Sequence, residues 1–151
     1  MPRPIRFSLL IPAVLATLTA LSGAVSAQPL QQFLWENRPL VIFAPNDTDT
    51  RLLNQRAMLV AHIEGLRARD MVVIAVIGDE RAMPELGPSP QASADAFRSR
   101  FDVAASDFTV VLVGKDGTEK ARATNPVLPE AVFEIIDRMP MRQREMRERD
   151  S

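Results

Sequence analysis

The chain has 151 residues, with 18 Lys and Arg against 19 Asp and Glu, a single histidine and no cysteine. The missing thiols exclude disulfide exchange, a peroxidatic thiol, structural disulfides, thiolate zinc sites, cysteine-ligated iron–sulfur clusters and a lipid anchor on an N-terminal cysteine. The near-neutral balance gives no electrostatic footing for nucleic acid or anionic lipid as a partner.

The first 27 residues read as an export signal. Arg3 and Arg6 precede a mainly apolar run from Phe7 to Ala20, and Val25-Ser26-Ala27 supplies small residues for cleavage before Gln28. A permanent span is the alternative, but the run is shorter than the ~20 residues a bilayer requires and contains Pro12. Cleavage leaves 124 residues and an excess of three acidic charges. That length suits one domain, and no membrane anchor is then expected.

Within residues 28–140, Leu30, Phe33, Leu34 and Trp35 are spaced for a short helix packed on the domain, which would make Trp35 core. Arg38-Pro39 breaks that segment, and 40–44 (Leu-Val-Ile-Phe-Ala) is a continuous apolar run, the pattern of a strand buried on both faces. From Arg51 to Arg69 the stripe of Leu52, Leu59, Ile63 and Leu66 predicts one helix, and 71–77 predicts a second buried strand closed by Gly78. Strand, helix and strand form a βαβ unit, so the two strands should be parallel and adjacent.

Pro84, Gly87, Pro88 and Pro90 predict an irregular loop over 79–91, followed by a helix over 93–101 with Ala94, Phe97 and Phe101 facing inward. Strands are predicted at 108–113 and 119–123, joined antiparallel by Gly114-Lys115-Asp116-Gly117. A last helix, 130–139, has Pro129 suited to its first position and Pro140 as its stop. In the charged tail 141–151 the arginines alternate with acids, as on a solvated, self-paired helix face or an extension that binds a partner. The expected fold class is α/β, with a four-stranded mixed sheet in the order 71–77, 40–44, 108–113, 119–123.

This order resembles the thioredoxin-like fold. More closely, Phe33-Leu34-Trp35 with the Arg38 to Pro45 run, Asp70-Met71-Val72-Val73-Ile74, the Phe108 to Gly117 run and Ile136-Asp137-Arg138-Met139-Pro140 resemble the domain of unknown function numbered forty-one seventy-four. The resemblance implies an extracytoplasmic setting, since that family is found in exported bacterial proteins and as a module of sushi-repeat and coiled-coil-containing matrix proteins. It brings no catalytic residues with it. Where thioredoxin carries its redox pair, this chain has Asn46-Asp47-Thr48-Asp49, and Ser106-Asp107 stands where the proline before the hairpin would be.

Ligands of α/β sheets sit beyond the carboxyl ends of the strands, so Asp47, Asp49, Asp79 and Glu80 are the candidate ligand-binding residues. Converging carboxylates would bind a cation or raise one another's pKa. The plainer alternative is that Asp47, Thr48 or Asp49 caps the helix and offsets its dipole while Asp79-Glu80 is solvated loop. A calcium-loop start at Asp47-Thr48-Asp49 is broken by Arg51 and Leu52. His62 sits on a helix flank, and Gly114-Lys115 lacks the upstream glycine of a phosphate loop. No catalytic residue, metal or cofactor is assigned. The expectation is an exported, redox-inert binding or structural module whose partner is a protein or cell-surface component. The alternative is an enzyme or cation-binding protein using the acidic edge.

Overall fold

A computed structural model describes residues 28–151, so the expected signal segment lies outside the described residues. The chain runs β1 (Arg38–Ala44), α1 (Thr50–Val60), α2 (Ile63–Arg67), β2 (Met71–Ile77), β3 (Arg81–Leu86), α3 (Ala94–Phe101), β4 (Thr109–Val113), β5 (Glu119–Ala123), α4 (Pro129–Asp137) and α5 (Pro140–Arg149). The sheet order is β3-β2-β1-β4-β5. β1 and β2 are parallel, in register from Arg38–Met71 to Ala44–Ile77, and the other pairs are antiparallel.

Every residue of β1 and β2 is buried, which explains their unbroken apolar sequence. Alternate β1 side chains enter two cores. Leu40 and Ile42 join Leu52, Leu59, Leu66, Val132 and Ile136 beneath α1, α2 and α4, whereas Val41 and Phe43 join Phe33, Phe97 and Phe101 on the α3 face. Each such aliphatic or aromatic side chain contributes about 1.5–3 kcal/mol by leaving water. With no disulfide available, these two layers carry the fold. Pro39, which has no N–H to donate, lies before the pairing of β1 with β4 begins at Leu40.

Four local expectations are corrected. The sheet has five strands, not four, because 81–86 is an edge strand on β2 and not irregular loop. Its Pro84 and its exposed, weakly β-forming residues hid it. An edge strand tolerates a proline beside an irregularity, and the register shifts between Val73 and Ile74, opposite Leu86 and Pro84. The helix expected over 51–69 is two. The His62 ring donates from Nδ1 to the Met58 carbonyl (2.8 Å), the acceptor its own amide would use in an α-helix, and the amide bonds Leu59 instead (3.0 Å).

Trp35 is exposed, not core (64%). A three-residue 3-10 turn, Gln31–Phe33, buries Leu30 and Phe33, and the chain then reverses through a left-handed Trp35 (φ 67°) whose amide donates to the Lys115 carbonyl at 2.7 Å. Pro140 does not stop a continuing helix. α4 already ends at Asp137, and Pro140 takes the first position of α5.

The charged C-terminal segment is thus a helix clasped to the domain. Glu145 accepts from both terminal nitrogens of Arg38 (2.9 and 3.2 Å) and lies 2.8 Å from Lys115 Nζ, which also reaches Asp70 at 2.9 Å. Arg38 is 1% exposed and donates further to the Arg69 carbonyl. Asp137 accepts from Arg69 and Arg142, and Arg69 lies over the Phe133 ring at 4.1 Å. α2 and α4 approach closely at Gly65, where a Cβ would stand 2.7 Å from the Phe133 ring.

Candidate functional site

The parallel pairing brings the carboxyl ends of β1 and β2 to one edge of the sheet, with Ala44 opposite Ile77. The segment after β1 curls immediately into a helix start. Asn46 Oδ1 accepts from the Thr48 amide (3.1 Å) and hydroxyl (2.8 Å), and Asp49 is the N-cap of α1, its Oδ1 accepting from the Arg51 amide at 2.9 Å. The Arg51 side chain grips the same carboxylate at 3.0 and 2.7 Å and holds its pKa below the usual aspartate value. Truncation of Asp49 to alanine should cost about 1 kcal/mol, the usual worth of an N-cap, measurable by urea unfolding. An unchanged midpoint would show that Arg51 and water hold the turn without it.

The other candidates point elsewhere. Asp47 is 57% exposed and faces Arg81 at 3.4 Å; Asp79 is 69% exposed and stands 4.0 Å from Arg98; Glu80 is on the surface. Asp49 is therefore committed to the cap and to Arg51, while Asp47 and Asp79 neighbour different arginines. Among the described residues no group of three or more Asp, Glu or His is placed to hold a metal ion.

Beneath these acids lies a residue that the sequence reading did not single out. Arg98 of α3, 6% exposed, passes under the edge and donates to three main-chain carbonyls: Gly78 (2.6 Å), Ala104 (2.6 Å) and Ala44 (3.1 Å). Its guanidinium also lies 5.5 Å from the Phe43 ring centre. Burial pushes its pKa down, with Asp79 opposing, but a guanidinium has no acceptor and no accessible neutral form. It ties the ends of β1 and β2 to the loop after α3 and supplies neither nucleophile nor base. The spacing Ala94, Phe97, Arg98, Phe101 puts Arg98 on the inward helix stripe, so its burial was legible in principle.

His62 is far from this edge, beyond the other end of α1, whose eleven residues span on the order of 16 Å at 1.5 Å per residue. Its pKa is raised by the Met58 carbonyl and then by Glu130, whose Oε1 is 2.8 Å from Nε2. Both ring nitrogens are engaged. Among the described residues no helix is long and apolar enough to cross a membrane.

A parallel β1–β2 pair, an antiparallel β4–β5 hairpin beside it and helices on both faces define a thioredoxin-like fold, here with a capped turn and a buried arginine at the edge where that fold carries thiols. The chain belongs to the family described as Domain of unknown function (DUF4174), which matches residues 29–145. It is similar to the sushi repeat-containing protein SRPX of Homo sapiens, 31% identical over 124 residues covering 80% of this chain and 27% of that protein. It is also similar to coiled-coil domain-containing protein 80 of Danio rerio, 29% identical over 133 residues covering 78% and 15%. The chain thus spans about a quarter or less of the length of these relatives. Among solved structures, Plasmodium yoelii thioredoxin peroxidase I superposes with a TM-score of 0.55 at 14% identity, covering 76% of this chain and 79% of that one, a likeness of fold alone.

Proposed function

We propose that this domain is an exported, redox-inert module that works by binding a protein or surface component outside the cytoplasm. The observation that carries the reading is the occupied edge: where the fold would present thiols, Asp49 caps α1 and Arg98 is spent on three carbonyls. The charged, apolar and small-residue order of 1–27 supports export. The similarity to segments of much longer proteins supports a module whose role is to be held beside something else.

Crosslinking in the exported fraction, followed by capture of the full chain, tests the reading. The expected result is a reproducible extracytoplasmic partner whose capture survives Asp47→Asn with Asp79→Asn. The purified protein should show no peroxide consumption or insulin reduction. Turnover of a substrate, or a calcium-dependent rise in melting temperature abolished by the double substitution, would transfer the function to the acidic edge. A cytoplasmic product retaining Met1 would refute export.

A further inference from the structure

The pole opposite the thiol-equivalent edge, where β1 begins and the β4–β5 hairpin turns, holds a cavity of about 290 Å³ lined by Arg38, Lys115, Asp116, Lys120, Arg144 and the first turn of α5, Met139 to Met141. Four cations and one carboxylate line it. The surrounding charges do not cancel the excess: with Arg69 and Arg142 the cluster has six cations, against the carboxylates of Asp70, Asp116, Asp137 and Glu145. Two positive charges are left over, in a chain whose formal net charge is −1. Arg144 has no ion pair among the described residues, and Lys120 is held only by Asp116, at 2.9 Å.

Two further features suit an anion. α5 is ten residues long and no side chain caps its start; Pro140, its first residue, has no N–H to offer, but the positive dipole end of the turn it begins lines the cavity. Arg38, 1% exposed, lines the same cavity and adds its positive charge from beneath the wall.

We infer that this cavity binds a tetrahedral oxyanion of the phosphate or sulfate class, either free or as the ester group of a small molecule. A dianion matches the surplus of two charges. Lys120 and Arg144 would reach it as mobile donors, while Arg38 and Lys115, already fixed by Glu145, form a rigid floor. Nothing in the inference depends on the proposed function.

The test is a titration of the full exported chain with inorganic phosphate, sulfate and glycerol phosphate at constant ionic strength, read by melting temperature and amide chemical shifts. Saturable stabilisation, with shifts concentrated at 115–120 and 139–144, is expected, and chloride should give none. Lys120→Gln with Arg144→Gln should weaken binding at least tenfold, whereas Arg67→Gln with Arg147→Gln, removing the same charge elsewhere, should leave it unchanged. Tighter binding of the ester than of the free ions identifies a small-molecule ester as the ligand, and the reverse identifies the free ion. A non-saturable response, shifts elsewhere, or equal affinity in the two double variants would overturn the inference.

Discussion

Glu145→Gln should cost about 2–4 kcal/mol in urea unfolding followed by far-UV circular dichroism, because it leaves Arg38 buried beside Lys115 without their shared carboxylate. The lower end of that range allows for the water that still reaches Glu145, which is 18% exposed. Burial disfavours its charged form, but the hydrogen bonds from Arg38 and Lys115 outweigh burial and hold the carboxyl at about 2, against an ordinary 4.5. A group whose folded pKa is depressed contributes stability that is complete above its unfolded pKa and is lost as pH falls through the folded one. The native protein should therefore lose this contribution between about pH 4.5 and 2, and Glu145→Gln should flatten that part of the acid limb. Arg38→Met with Glu145→Leu should recover much of the loss, since a buried ion pair is often no better than a packed apolar one. If the single variant loses less than about 1 kcal/mol, the worth of a surface pair, α5 is a dispensable appendage and the clasp is cosmetic.

Arg98→Ala is expected to cost about 3 kcal/mol, since it removes charge-assisted hydrogen bonds to three carbonyls and opens a gap beside Phe43. The Ala44 carbonyl keeps the Gly78 amide at 2.9 Å and the Ala104 carbonyl keeps the Asp107 amide at 3.0 Å, so the Gly78 carbonyl bears most of the loss. Arg98→Lys should recover only part of it, because a single ammonium cannot span the same three acceptors. Amide hydrogen exchange should accelerate at the carboxyl ends of β1 and β2 before it does in β4. Uniform exchange along both strands would mean that the arginine stabilises the domain generally and does not hold this edge.

Much of this architecture is written in local pattern. Two unbroken apolar runs separated by a helical stripe require a buried parallel pair, and an Asp-Gly turn between two strands requires a hairpin. The parts that escaped are those in which a distant residue decides. β3 forms because β2 offers an unpaired edge to a segment that has no strand pattern of its own. Trp35 turns outward because the backbone reverses to reach the Lys115 carbonyl, 80 positions along the chain. Glu145 lies in a run of alternating charge that reads as solvated, and nothing near it in the sequence names Arg38, 107 residues away. Asp47, Asp49 and Asp79 follow the strand ends, but side-chain direction and the reach of Arg51, Arg81 and Arg98 assign them separate neighbours.

Trp35 is the only tryptophan, and the chain has no tyrosine, so intrinsic fluorescence above 295 nm excitation comes from one indole on the surface. Its emission should already be water-like in the native state and should shift little when the cores melt. What its quantum yield can follow is the grip of the N-terminal turn on the β4–β5 hairpin, the link made by the Trp35 amide. A fluorescence transition that precedes the circular dichroism transition would therefore signal local detachment at this pole and not a folding intermediate of the whole domain.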